Sequence, residues 1–412
     1  MSNLKPISQA DMAAAAPEGQ SRNRSTLPIL FSVIIIDLIA FGIVIPVLPA
    51  YAKDLGESAL MLGVLLATHA ALQFVFSPVW GRLSDRIGRR PVMLFSIFGT
   101  SISMVILGLA DSFEGLLLAR ILSGTFSANI SVATAFVADV TEESERTRYM
   151  GMVGASFGIG FILGPALGGA LAWLGHGVPM FFAAGLAMIN FIWAFFALAE
   201  PEKSQEDAHD QSGFIRALRD AMSDSVAARL VITNFFFTLG VTQLESTFFY
   251  FMSDRFGYSL SEVAFILVGM AVLMAGIQGG GMRALAQRFG ERTLLVAGLL
   301  ILAFSFPLVP FAAGLTLLML ALSFSAIGRA ISQPPMTSII SMRTAQENRG
   351  TLMGAFQSSA ALARIVGPLA AGLLYVYSLS APFILGGALF LLAALLTFGL
   401  RDVDAPHQPQ ES

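Results

Sequence analysis

Five ionisable side chains stand in the middle of long apolar runs: Asp37, Arg120, Glu245, Arg329 and Arg364. A charge at mid-bilayer costs roughly 2.5–3.5 kcal/mol on insertion scales, so the five together imply on the order of 10–15 kcal/mol before pairing. Charges that persist there face the protein interior and are paired or functional. The competing reading of each is an internal salt bridge that only fixes helix packing. The chemistry open to a carboxyl in such a place is reversible proton binding. Burial favours its neutral form and a nearby guanidinium its ionised form, so rocking that moves Arg120 towards or away from Asp37 would switch proton affinity. Glu245 offers a second titratable group.

Residues three, four, seven and eleven apart share a helical face. Arg120, Gly124, Ser127, Ser131 and Thr134 therefore make one polar, small-residue stripe that suits a water-accessible cavity. Asn234, Thr238 and Glu245 make another, Ser325, Arg329, Gln333 and Met336 a third, and Gln357 with Arg364 a fourth. His69 and Gln73 share a face as well. Asn234, Glu245, Arg329, Gln333, Gln357, Arg364, His69 and Gln73 are thus candidate contacts for a small-molecule substrate. Small-residue stripes are also how membrane helices pack closely, and a mid-span His is often a hydrogen-bonded packing residue.

An enzyme or receptor finds little support. The chain has no Cys, no His pair at ligand spacing and no nucleotide-binding loop. Gly154-Ala-Ser-Phe-Gly158 has the outline of a nucleophile elbow, but it lies inside an apolar run with no strand before it. No catalytic residue, metal, cofactor or nucleic-acid partner is expected.

The elements that carry these residues follow from composition. Hydrophobic residues make up 55% and charged residues 12% of the chain, with a mean hydropathy of +0.74; a soluble domain carries about 25% charged residues. Lipid must be the solvent for most of the surface. A spanning helix needs about 20 apolar residues, and such stretches run over 27–50, 58–80, 92–110, 115–138, 150–172, 178–199, 227–252, 259–282, 293–312, 315–341, 350–376 and 380–400. They are far longer than barrel strands, which leaves helices. Lys and Arg outside the spans fall in alternate connections, with only Lys53 and Arg255 across from them. By the positive-inside rule the arginine-rich side is cytoplasmic and both termini lie there. The first run has no convincing cleavage site and reads as an uncleaved helix.

The longest connection holds Glu202, Lys203, Glu206, Asp207 and Asp210, a composition suited to a flexible linker, and divides the spans six and six. Within it Phe214, Ile215, Leu218 and Met222 recur at helical spacing, which fits either a short helix on the membrane surface or a solvated tether. Met150-Gly151 through Gly164-Pro165 aligns without a gap on Met353-Gly354 through Gly367-Pro368, an offset of about 203 residues. Parallel six-span repeats are an architecture for rocking alternating access, with the site between the halves. The expected organisation is a tail over 1–26, a bundle over 27–199, a linker over 200–226, a second bundle over 227–400 and a tail over 401–412. The expected fold class is an all-α membrane protein of twelve transmembrane helices in two pseudo-symmetric six-helix bundles.

Gly81-Arg-Leu-Ser-Asp85-Arg86-Ile-Gly88-Arg89-Arg90-Pro91 resembles the signature loop of the major facilitator superfamily. Arg120-Ile-Leu-Ser-Gly124 is similar to that family's fourth-span motif. Gly160 through Gly169, with Gly164-Pro165 and Gly168-Gly169, resembles the fifth-span motif of its antiporters. Asp37 followed by Gly42, Pro46 and Pro49 completes a likeness to twelve-span drug:proton antiporters, the first half being most like tetracycline efflux proteins. The resemblance implies that Asp85 meets the N-terminal end of the eleventh helix near Gly350. It also implies that Arg89 pairs with Asp139 as a latch closed in the outward-open state. Gln243 falls where tetracycline exporters have a seventh-span glutamine and joins the substrate contacts on that ground. Their acids of the third and ninth spans are replaced by Ser103 and Leu302, and Gln287 stands in the second half where Asp85 stands in the first.

The reading as a whole is a proton-coupled transporter of the inner membrane, exporting small amphipathic molecules. Asp37 would be the proton carrier, Arg120 its switchable partner and Glu245 a further coupling group. Its partners are a small-molecule substrate, protons and the lipid bilayer, and a monomer is expected. The alternative is a proton-coupled importer or facilitator of a metabolite on the same fold.

Overall fold

A computed structural model describes residues 18–141, 143–175, 177–200, 224–343 and 349–398. The linker, with its amphipathic stretch at 214–222, lies almost wholly outside the described residues, as does the C-terminal tail. Among the described residues every regular element is helical. Twelve helices are long and apolar enough to cross a membrane: Leu27–Asp54, Ala59–Ile87, Arg89–Leu109, Phe113–Val137, Gly151–Leu174, Gly177–Ala197, Ser225–Phe256, Leu260–Phe289, Glu291–Phe311, Leu315–Met342, Leu352–Tyr377 and Ala381–Phe398. They are called the first to twelfth spans below.

Helices outrun the apolar stretches at several ends. The first begins at Glu18 and not near residue 27. The second continues to Ile87 and the third starts at Arg89, so most of what reads as a loop is helix and the turn reduces to Gly88 at φ +109°. Such a φ is open to glycine without strain. Gly290 at φ +78° turns the eighth span into the ninth in the same way.

The fourth span departs most from expectation. It is two helices, Phe113–Thr125 and Asn129–Val140, broken at residues 126–128. The break is held from the third span, where the Ser96 hydroxyl donates to the Phe126 carbonyl and accepts from the Ala128 N–H at 3.1 Å. Gly99 leaves the room that the Phe126 ring fills. A single polar stripe from Arg120 to Thr134 therefore does not form, because the break re-aims everything after Thr125.

The packing repeats with a shift of six spans. The first span packs on the fifth and sixth, the third on the sixth, and the fourth on the second and third. Correspondingly the seventh packs on the eleventh and twelfth, the ninth on the twelfth, and the tenth on the eighth and ninth. Between halves the second meets the eleventh and the fifth meets the eighth, two contacts that the same shift exchanges. In lipid no hydrophobic force joins helices, so close packing and side-chain hydrogen bonds must do so. Asn190 donates to the Val33 carbonyl at 3.0 Å and Ser101 to that of Ala184 at 3.0 Å. Arg90 donates to the Phe195 carbonyl in the first half and Arg292 to that of Phe398 in the second, tying equivalent helix ends.

Candidate functional site

Asp37 lies in the first span, half-buried, in a small pocket whose walls include Ile34, Met93, Ile97, Asn129 and Ile130. Its carboxylate accepts a hydrogen bond of 2.6 Å from Nδ2 of Asn129, the first residue after the break in the fourth span. The Asn129 Oδ1 atom is buried without a partner. The carboxylate is thus held by a neutral amide. Among the described residues Asp37 and Arg120 form no ion pair in this conformation.

Arg120 is almost fully buried on the other side of the break, within electrostatic range of His69, and its Nε has no partner. His69 and Gln73 face the fourth span. His69 Nδ1 lies 2.9 Å from the Ser123 hydroxyl, and Gln73 Nε2 donates to that of Ser127 at 2.7 Å. Gly124 packs against the His69 backbone. The pair therefore joins the second span to the fourth, as the packing reading holds, while His69 Nε2 stays buried without a partner.

Charges converge in the second half. Arg329 Nη1 of the tenth span lies 2.8 Å from Glu245 Oε1 of the seventh. Arg364 of the eleventh lies within electrostatic range of both. Glu245, Gln333, Gln357 and Arg364 are all exposed although each is mid-span; polar and charged side chains so placed face an interior space and not lipid. Two expected substrate contacts are elsewhere. Asn234 is buried, donating to the Phe356 carbonyl at 2.8 Å and the Ser359 hydroxyl at 3.0 Å. Gln243 is fully buried, donating to the carbonyls of Leu239 at 3.0 Å and Gly367 at 3.3 Å. Both lock the seventh span to the eleventh. Positions two apart on a helix point about 200° from each other, so Gln243 faces the packing seam because Glu245 faces the space.

At the arginine-rich face, Arg89 reaches Asp139 at 2.8 Å and Asp85 at 2.5 Å. Glu200, which sequence reasoning passed over, caps the third span: its carboxylate accepts from the N–H groups of Arg89 at 2.5 Å and Arg90 at 3.0 Å. A negative group at a helix N-terminus is favoured by the dipole and the free N–H groups. Gly81 has open space around it, and Arg86 is exposed. Asp85 is 58% exposed and engaged with Arg89; the expected meeting with the eleventh helix near Gly350 involves side chains outside the described residues.

Contacts between the halves gather at the opposite face. Lys53 pairs with Asp254 at 2.5 Å, Tyr375 donates to the same carboxylate at 2.8 Å, and Tyr250 donates to the Glu57 carbonyl at 2.8 Å. Gly63 packs under the Pro368 carbonyl, Gly372 against Ala59 and Leu60, and Gly169 against Ala264 and Ser261. Gly160, Gly164 and Gly168 instead meet Leu38, Gly42 and Ile43 of the first span, within their own half. Of the fifth-span motif's glycines, then, only Gly169 faces the other half, and Pro165 lies within the same helix. Close approaches among the described residues thus seal the opposite face, and the Arg89–Asp139 pair is already formed in this state. That pair joins the third span to the end of the fourth within the first half.

Lys53 and Asp254 could have been found in the sequence, because they end the first and seventh spans at nearly the repeat offset. The pair is partly exposed, 26% and 37%, and such pairs contribute about 0–1 kcal/mol. Lys53→Asp also sets a second carboxylate beside Asp254, so the sealed state is expected to lose about 1–2 kcal/mol, near tenfold in population at ~1.4 kcal/mol per decade. Phe41, mid-span on the first helix, is 39% exposed and its ring lies 6.3 Å from that of His69. In this Cys-free chain, labelling of Phe41→Cys by an impermeant maleimide from the opposite face should accelerate about tenfold in Lys53→Asp. It should return to the parental rate in the swapped pair Lys53→Asp/Asp254→Lys. Unchanged labelling in the single variant would show that the clamp does not hold this face.

The profile of the Major Facilitator Superfamily matches residues 30–284 and 281–412. The chain is 30% identical to the class B tetracycline resistance protein of Escherichia coli over 86% of this chain and 90% of that protein. It is 30% identical to multidrug resistance protein 2 of Bacillus subtilis (strain 168), over 90% of this chain and 93% of that one. The crystal structure of the human organic anion transporter MFSD10 superposes with a TM-score of 0.68 at 27% identity, covering 91% of this chain and 99% of that one.

Proposed function

Because this chain belongs to the Major Facilitator Superfamily, we propose that it exports small amphipathic compounds across the inner (plasma) membrane in exchange for protons, with Asp37 as the carrier. The observation that carries the reading is a carboxylate in a mid-membrane pocket whose partner is the neutral amide of Asn129. A carboxylate with no cation beside it is costly in a low-dielectric site unless water or dipoles solvate it. Its proton occupancy is therefore sensitive to which face admits water, and that is the property alternating access needs. Asn129 stands at the break of the fourth span, where a small rotation of one half-helix changes its reach to Asp37. The switchable partner is thus Asn129, and Arg120 lies within electrostatic range of His69 instead.

Relatives named for tetracycline and multidrug resistance support export of amphipathic cargo. The arginine-rich face is read as cytoplasmic, with both termini there and the segment 200–226 joining bundles 27–199 and 227–400. In this reading cargo enters from that face and protons enter from the other. One charge moving through ~100 mV gains ~2.3 kcal/mol, so each proton supports a gradient of about fiftyfold for a neutral cargo.

The test uses inverted vesicles with an acid interior and a panel of tetracyclines, quinolones and amphipathic dyes. Adding a transported compound outside is expected to release protons from the vesicles, and a protonophore is expected to abolish its accumulation. Accumulation that survives the protonophore would overturn proton exchange. Cargo movement in the same direction as the protons would point to an importer.

A further inference from the structure

Arg329 and Gln333 share a face of the tenth span, Gln357 and Arg364 share one on the eleventh, and Glu245 faces both from the seventh. Two guanidiniums here answer to a single carboxylate. Glu245 engages Arg329 at 2.8 Å, while among the described residues Arg364 forms no hydrogen bond or ion pair, and the Arg329 Nε is buried without a partner. Arg364 is nonetheless mid-span and exposed to the interior space. A guanidinium is always charged and presents paired N–H donors that match a carboxylate. The site therefore holds one positive charge more than its own residues neutralise, with two exposed glutamine amides beside it. A cationic cargo would meet repulsion there.

We propose that Arg364, with Arg329, is the docking point for a carboxylate carried by the cargo, and that Glu245 is the internal competitor which the cargo displaces from Arg329. The substrate class is accordingly amphipathic organic acids or zwitterions with a free carboxylate, an assignment that rests on the export reading above. Competition gives the empty site a resting partner: Glu245 keeps Arg329 satisfied until a second carboxylate arrives. Specificity then follows from the unpaired guanidinium, because a site left with a buried or confined charge discriminates against a ligand that cannot answer it.

The purified full chain in detergent, at neutral pH and without any proton gradient, is titrated by calorimetry with matched pairs: naphthyl, biphenyl and pyrenyl acetic acids, each against its primary amide. The acid of at least one pair is expected to bind tenfold or more tightly than its amide. Glu245→Gln should tighten the acid several-fold further and leave the amide unchanged, Arg364→Gln should bring the acid down to the amide, and Arg364→Lys should retain part of the preference. Wild-type protein that binds no acid more tightly than its amide overturns the proposal. So does a preference that survives in Arg364→Gln, or, should that variant aggregate, one that Glu245→Gln fails to strengthen. Since equilibrium binding involves no gradient, a failure of proton exchange leaves these outcomes unaltered, and the two readings fall separately.

Discussion

Asp37→Asn is expected to abolish gradient-driven accumulation of cargo while leaving downhill exchange across the same vesicles. The substitution keeps the volume of the side chain and its ability to hydrogen-bond Asn129, which donates to the carboxylate at 2.6 Å in the native protein. What it removes is the proton. With one proton per cycle the loss is the whole coupled gradient, about fiftyfold for a neutral cargo at ~100 mV. Counterflow, in which unlabelled cargo inside draws labelled cargo in, needs only the rocking of the halves and should persist. Arg120→Gln separates this scheme from the one expected from the sequence. Arg120 stands apart from Asp37 and beside His69, so its loss is expected to affect folding and rate together and to leave whatever transport remains proton-dependent. Uphill accumulation in Asp37→Asn would end the assignment of Asp37 as carrier.

Much of this was legible in the chain because membranes are a strict solvent. Each of the twelve spans announces itself by length and apolarity, and Asp37, Glu245, Arg329 and Arg364 stand out because a charge in hydrocarbon needs an explanation. The pairing of Glu245 with Arg329 was not legible, since nothing in a helical face says which face of another helix it meets. Asn129 was missed for a more specific reason. It falls off the stripe that an unbroken fourth span would present, and the break comes from tertiary contacts of Ser96 and Gly99 of the third span with Phe126, which the local sequence of the fourth span does not reveal. Asn234 and Gln243 misled in the opposite sense: a polar residue near a functional charge reads as functional, whereas in lipid neutral amides are also the means by which helices bind one another. Gln243 donates to the backbone of the eleventh span for that purpose.

The two halves also use the same repeat differently. In the first, Gly164 of the fifth span lies directly on Gly42 of the first; in the second, the equivalent Gly367 lies on Thr242 of the seventh. The first contact is backbone on backbone, one turn from Asp37, and the second can adjust through a side chain. The acid with the neutral partner therefore sits close to a contact that no side chain can relieve, whereas the equivalent contact of the second half has a side chain to give way.

The contact at Gly164 leaves no room for a side chain. A Cβ at Gly164 would lie 2.5 Å from the Gly42 Cα and 2.9 Å from the Ile43 nitrogen, and none of these atoms belongs to a side chain that could move aside. Overpacking in a core costs about 1–3 kcal/mol when side chains can shift, and here the helices themselves must part. Gly158, less than two turns earlier in the same helix, has nothing within 4 Å of its Cβ position. Alanine there gains up to about 1 kcal/mol of helix propensity and meets no neighbour. Gly164→Val is accordingly expected to cut the yield of monodisperse protein at least tenfold or to lower its Tm by more than about 10 °C, as read by size exclusion and scanning fluorimetry. Gly158→Ala should match the wild type or exceed it slightly in both. Should Gly164→Val fold and transport like its parent, the first and fifth spans do not meet at backbone distance, and the framework holding Asp37 would have to be redrawn.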